Sequence, residues 1–444
     1  MRTVKFFLAT VLCSMLCGCV GTEPNDEAYV VALGIDSANN GNYMVTIQFA
    51  RPTQISGGAS EEGGKGSDIV ENLVVEAPNI FSAISLGNHT VSKELVLSHA
   101  NVVVISSEVA ESGIGDIIES LSRNEKIRPD IYLTVSRGSA RDYLYSVRPV
   151  VEVNPTKYYQ LIFEQNDSIG VPKMTLTDFC FNRANNIANV MPISGVIDSG
   201  SEESVDRYTG LGDIDILNLK SNVEPSASDI ENSSSEGKNP QEYENENQKG
   251  APMINSNFEF GLRNYIAGQL AINESNKSET VGMVIFKDNT AKTVGGAVVS
   301  EVYKLLKGEF HHAYVTIRAN AKKSVTMDIT QEKKPRIKVD IKNKTVTVNL
   351  KLEGDLYSLP SDFDDEADVD KLELSAKQDI EKACNKFVRD VVVDEGVDVL
   401  GVVEHSKSEF LTNDEFMASR DSVLKYPITV NCDFHIRRTG LTIK

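Results

Sequence analysis

Tryptophan is absent from this 444-residue chain, and aromatic residues make up only 7 % of it. That argues against an aromatic-lined site for sugars or stacked bases. Positive charge is also in short supply, with 45 Lys and Arg against 64 Asp and Glu and a formal net charge of −19. Nucleic acid is a poor partner for such a chain, because phosphate backbones are held by clustered Lys and Arg. Broad electrostatic adhesion to anionic lipid is disfavoured for the same reason. Cysteine is scarce: six residues, three of them at positions 13, 17 and 19. Cys180, Cys384 and Cys432 are widely spaced and form no CxxC pair, so structural zinc and thioredoxin-like chemistry lack support. Three ordinary buried thiols are expected, with a Cys384–Cys432 disulfide as the open alternative. What remains is 41 % hydrophobic and 25 % charged, the composition of a globular protein long enough for two or three domains.

The first twenty residues carry the most specific local pattern. Arg2 and Lys5 form a basic segment, and Phe6 to Leu16 an apolar one of eleven residues. A membrane-spanning helix needs about 20 apolar residues, so this run is too short to cross and reads instead as an export signal. Leu16-Cys17-Gly18-Cys19 follows, and it resembles the lipobox of bacterial lipoproteins. Gly18 leaves room for a peptidase, and the Cys19 thiol is the expected site of lipidation. Cys17 fits less well, because bulky Leu16 would occupy the small-residue position. An ordinary signal peptide cut nearby is the plainer alternative. Removal of residues 1–18 deletes Arg2 and Lys5, leaving a mature charge of −21. No later stretch of sequence is long and apolar enough to span a bilayer, so an exported, tethered protein is expected. Several acyl chains hold a protein on a membrane firmly where one is marginal.

Beyond the signal, the expected fold class is α+β and multi-domain. Residues 19–198 alternate strand and helix signals. Tyr29 to Asp36 and Tyr43 to Phe49 read as a hairpin around Asn40-Gly41. Asn79 to Leu95 reads as a helix, Asn101 to Ser106 as a buried strand, Ile114 to Leu121 as a helix and Ile131 to Val135 as a strand. A mixed sheet covered by helices follows. Residues 199–254 are an acidic linker or insert. Between Gly200 and Gly250 there are twelve acidic and four basic residues, and Ser226 to Gly250 is too polar to offset its chain entropy by burial. Residues 255–444 are expected to form an antiparallel sheet packed on a long helix. Its strands are Gly282 to Phe286, Tyr314 to Ile317, Ser324 to Ile329, Arg336 to Ile341, Lys344 to Leu352 and Tyr426 to Ile436. Ala297 to Leu306 is a shorter helix ended by Gly308. In the long helix Leu372, Ala376, Ile380, Ala383, Cys384, Phe387, Val388 and Val391 share one face at i, i+3, i+4 spacing.

Motifs that carry chemistry are missing. The glycine-rich stretch from Gly57 to Ser67 fails the P-loop pattern, since Lys65 is followed by Gly66. His311 and His312 are adjacent and would point to opposite faces of a strand, which suits a shared metal poorly. His89, His99, His405 and His435 lack neighbouring ligands in sequence. Asp362 to Glu366 resembles half a calcium loop without its sixth-position glycine; solvated acid before a helix start is the better reading. No nucleophile elbow occurs. No catalytic residue, metal ligand or cofactor site is assigned, and no enzyme is expected.

Taken in order along the chain, several segments resemble the Ger(x)C family, the lipoprotein C subunits of spore germinant receptors. They are Leu16 to Cys19, Ala28 to Asp36 (AYVVALGID), Tyr43 to Phe49, and Val91 to Leu95 with Val102 to Glu108. Ile127 to Tyr132 (IRPDIY) with Ser136-Arg137-Gly138, Gly282 to Lys287 with Gly295-Gly296, and His435 to Gly440 complete the set. Departures are Val20-Gly21 where the family often has Trp-Asp, a loose Val397 to Val403 where it has a DxFGFG-like run, and a long acidic insert. The resemblance implies a lipid-anchored subunit on the outer face of the spore inner membrane. It would act without catalysis, through contacts with two integral membrane receptor subunits. Whether a small nutrient ligand touches this subunit is left open. An extracytoplasmic solute-binding lipoprotein is the alternative reading; it would show two similar lobes about a hinge.

Overall fold

A computed structural model describes residues 27–50, 70–148, 152, 154–164, 171–196, 278–320, 323–358 and 367–438. Cys19 and the signal segment, the glycine-rich stretch at 56–67, the acidic stretch at 199–254, Asp362 to Glu366 and Thr439-Gly440 lie outside the described residues. The architecture is mixed α+β around two sheets.

The first sheet has nine strands: β1 (Glu27–Ser37), β2 (Tyr43–Ala50), β3 (Val70–Ala77), β4 (Glu94–Val96), β5 (Val102–Ser106), β6 (Tyr132–Ser136), β7 (Asn189–Val196), β8 (Ser278–Lys287) and β9 (Thr290–Gly295). Their order is β3-β2-β1-β5-β6-β7-β8-β9, with β4 pairing the start of β1. The centre, from β1 through β7, is parallel, and both flanks are antiparallel. A central parallel strand is covered on both faces, which is why β5 opens with four apolar residues and has all five residues buried. One face is covered by α1 (Ile80–Asn88), α2 (Ser107–Ser112), α3 (Gly115–Arg123) and α6 (Leu176–Ala184). The other is covered by α4 (Ala140–Ser146) and α5 (Pro155–Glu164), through Tyr143, Leu144, Tyr159 and Phe163.

The second sheet has the order β10 (His312–Asn320), β11 (Lys323–Asp340), β12 (Thr345–Ser358) and β13 (Ile428–Arg438). It packs on α7 (Ala297–Lys307) and on the long α8 (Ala367–Phe387). The expected face of α8 is the buried one: Leu372, Ala376, Ile380, Ala383, Cys384 and Phe387 all enter this core, with Val388 and Val391 of the π-helical turn that follows. Two short helices, α9 (Val402–Ser406) and α10 (Asn413–Val423), lead into β13.

Four local expectations need correction. The second sheet is not wholly antiparallel, because β13 runs parallel to β12. A parallel neighbour requires a crossover, and α8 with the residues after it supplies one. The helix beginning at Asn79 stops at Asn88, and Glu94–Val96 forms a short strand instead. The two strands foreseen at 324–329 and 336–341 are one strand, β11. Register shifts at Gln331/Lys333 and Lys333/Arg336 let it run through Pro335, which has no N–H to offer the ladder. The strand at Gly282 pairs in the first sheet, not the second.

Strand β8 is where the two cores meet. Its side chains alternate, so Met283 and Ile285 join the core of the second sheet while Val284 and Phe286 join the core of the first. Val190 and Met191 of β7 divide in the same way. A buried string of hydroxyls runs across β6, β7 and β8: Thr134 Oγ1 lies 2.8 Å from Ser194 Oγ, which lies 3.1 Å from Thr280 Oγ1.

Candidate functional site

Several residues singled out in the sequence turn out to hold the fold together. The Asp36 carboxylate, at the end of β1, accepts the N–H groups of Ala140 (2.7 Å) and Arg141 (2.9 Å) at the start of α4. Burial pushes its pKa up, and those two amide bonds pull it back. In the 127–132 segment, Arg128 and Asp130 form a two-point ion pair. Pro129 O accepts from Thr177 N (3.0 Å) and Thr177 Oγ1 (2.8 Å), which ties the start of β6 to α6. The loose 397–403 segment is a seam between the two halves. Asp398 O accepts from Ala188 N at 2.8 Å, and its carboxylate accepts from Val402 and Val403 N–H at 2.8 and 2.9 Å.

Cys180 is half-buried, and Cys384 and Cys432 are buried; all three are free thiols. Burial raises the pKa of Cys384 and pushes Cys432 up to about 12, so both are held in the inert protonated form. The adjacent histidines diverge: His311 is exposed, while His312 Nδ1 lies 3.1 Å from Asp328 Oδ1. His99 stacks edge-on against Tyr29, and His435 sits between Glu373 and Asp433.

Described residues line a cleft with a volume of about 720 Å³, within the range of small-molecule sites. One wall is built at the N-terminal end of β6. There Lys173 lies 5.6 Å over the Tyr132 ring, and Tyr132 stacks on Phe163. Thr175 caps α6 in a reciprocal box with Asp178, donating to its carboxylate from Oγ1 at 2.7 Å. The opposite wall is the end of α7. Gly308 takes the left-handed conformation (φ +77) that closes the helix, and a Cβ there would stand 2.8 Å from Pro335 Cδ. That close approach brings Lys334 beside Lys304 and Lys307, and Glu309 N–H returns to Lys304 O at 2.8 Å. Burial raises the Glu309 pKa, with Lys307, Lys304 and Lys334 opposing the rise. The floor carries Phe163, Val171, Met174 and Tyr303. Sequence reasoning missed this cleft, since its lysines lie as much as 161 positions apart and share no motif.

Among the described residues, no helix is long and apolar enough to cross a membrane, and no group of three or more His, Cys, Asp or Glu side chains is placed to hold a metal ion.

Comparison with known proteins gives a consistent picture. Residues 21–196 match the spore germination protein N-terminal domain, and residues 281–440 match the spore germination B3/GerAC-like C-terminal domain. Spore germination protein KC of Bacillus subtilis is 27 % identical over 174 residues, 38 % of this chain and 43 % of that one. YfkR of Bacillus subtilis, provisionally named as a spore germination protein, is 32 % identical over 142 residues, 32 % of this chain and 37 % of its own. The matched region thus spans less than half the length of either relative. The crystal structure of the GerBC protein aligns over 92 % of this chain and 97 % of its own, at 13 % identity and a TM-score of 0.47.

Proposed function

Since the chain belongs to the Ger(x)C family of spore germination proteins, we propose that it is a lipid-anchored subunit of a nutrient-germinant receptor. In this reading Cys19 carries the lipid, and the folded body lies on the outer face of the spore inner membrane. It supports germination through contacts with two integral membrane subunits, and the reading assigns it no catalysis. The observation that carries the proposal is the lipobox standing directly before the family's N-terminal domain. Strand β1 begins at Glu27, eight residues after Cys19. Eight residues reach at most about 28 Å when fully extended. A body on so short a leash stays near membrane partners at high effective concentration, so weak contacts suffice.

A solute-binding lipoprotein would close two lobes about a hinge. The shared strand β8 and the Asp398–Ala188 seam weigh against that, because they weld the two halves along a common core. The test is Cys19→Ala. Loss of palmitate labelling, release from the membrane fraction and a weakened germination response are expected, with the soluble chain still folded. Continued labelling of the variant would sink the anchor assignment, and a normal nutrient response from a released chain would sink the receptor role.

A further inference from the structure

We propose that the cleft between α6 and the end of α7 binds a phosphate group, presented by a membrane lipid headgroup or by a free phosphate compound. Charge is the first argument. In a chain of net charge −19, four lysines (Lys173, Lys304, Lys307 and Lys334) line this one cleft. Three carboxylates face them. They are Asp130, Asp178 and Glu309, and Asp130 is already paired with Arg128, so the four lysines outnumber the remaining carboxylates two to one. The local balance is therefore positive where the whole molecule is strongly negative.

The kind of cation is the second argument. Among the described residues that line the cleft, the cations are lysines, with no arginine. Lysine binds anions as a mobile point charge with three donors, which suits a phosphate whose oxygens point in several directions. Lys304 and Lys307 also lie in the last turn of α7, where the helix dipole favours cations and helps hold them in place without a bound anion. The apolar floor of Phe163, Val171, Met174 and Tyr303 leaves room for a carbon skeleton attached to the phosphate.

Position is the third argument, and it rests on the Cys19 anchor proposed above. Ala32 of β1 pairs with Val102 of β5, which pairs with Tyr132 of β6. Glu27 stands five residues below that level, about 16 Å further along the strand. Asp130 and Thr175, on the cleft wall, flank Tyr132 at the same end of the sheet. Only β5 separates β1 from β6, a lateral distance of about 10 Å. The cleft therefore lies at the end of the sheet from which the leash departs, the end nearest the lipid surface.

The test uses the full-length Cys19→Ala chain and calorimetric titration with inorganic phosphate and glycerol 1-phosphate. Saturable binding that weakens with added salt is expected. Lys307→Gln and Lys334→Gln should each lower the affinity about tenfold. Lys351→Gln, outside the cleft and paired with Glu332, should leave it unchanged, with circular dichroism confirming the fold of every variant. Absence of binding to both compounds, or equal binding by Lys334→Gln and Lys351→Gln, overturns the proposal. Because these measurements need no anchor, they stand even if the lipidation reading fails. The acylated chain in nanodiscs of phosphatidylcholine, with or without phosphatidylglycerol, separates the two sources. Loss of glycerol 1-phosphate binding in either kind of disc identifies a lipid headgroup as occupant, and loss confined to the phosphatidylglycerol discs identifies an anionic one. Unchanged binding in both identifies a free phosphate compound.

Discussion

The carboxylate of Asp36 reaches across 104 positions of sequence to hold the backbone N–H of Ala140 at 2.7 Å. It closes the N-terminus of α4 from a neighbouring strand, a job usually done by the residue next to a helix; Ser139 caps the same helix through Asp142 N–H. Asp36→Ala strands two N–H groups in a half-buried site, and a loss of about 1–3 kcal/mol is expected in urea denaturation. Asp36→Asn keeps one acceptor and should lose less.

Glu301 gives a pH signature. Burial raises its pKa to about 7, opposed by Lys304. The folded state thus holds this proton more tightly than the unfolded chain, whose glutamate titrates near 4.3. The associated stability is fully present below that lower value and is lost as the pH rises towards 7. Glu301→Gln should therefore raise the melting temperature at pH 8 and leave it nearly unchanged at pH 4. The gain at pH 8 is at most about 4 kcal/mol. Equal shifts at both pH values would show that Glu301 acts through packing instead.

Gly282 has φ +92, and a Cβ on it would stand 2.7 Å from Gly295 O on the neighbouring strand. Gly282→Ala combines a strained backbone with a clash that no rotamer relieves. A fall of about 1–3 kcal/mol in stability is expected by thermal denaturation.

Val196, the last residue of β7, and Ser278, the first of β8, are direct partners in the sheet. The two ends of the 197–277 segment therefore stand side by side. Deleting Ser226 to Gly250 shortens the connection and should change stability by only about 0.3 kcal/mol through loop closure. A large drop in melting temperature would mean that the deleted residues pack on the body.

Cys384 and Cys432 should resist a soluble thiol reagent in the native state and react together on unfolding, with Cys180 the faster of the three. Rapid native labelling of Cys384 would contradict its burial.

Periodicity made much of this fold legible. The face of α8 could be read because 21 residues sample nearly six helical turns, and β5 because four consecutive β-branched residues suit a strand buried on both faces. The allegiance of β8 could not be read. Alternation shows that Met283 and Val284 face opposite ways, but both faces of this strand are buried, so the pattern does not say which sheet it joins. Helices α4, α5 and α6 run only seven to ten residues, and contacts distant in sequence, such as Asp36 with Ala140, fix the first of them. The candidate cleft was the least legible feature, since Lys173, Lys304 and Lys334 come together only when β6, α7 and β11 have taken their places.

The shared strand also sets an order on biogenesis. A chain is synthesised amino end first, and the first core lacks Val284 and Phe286 until residues beyond the acidic stretch have emerged. Until then β7 presents an unpaired edge with no partner to satisfy it. The amino-terminal half must wait, partly assembled, for a strand synthesised some eighty residues later, and that interval is when the growing chain would most need a chaperone's cover.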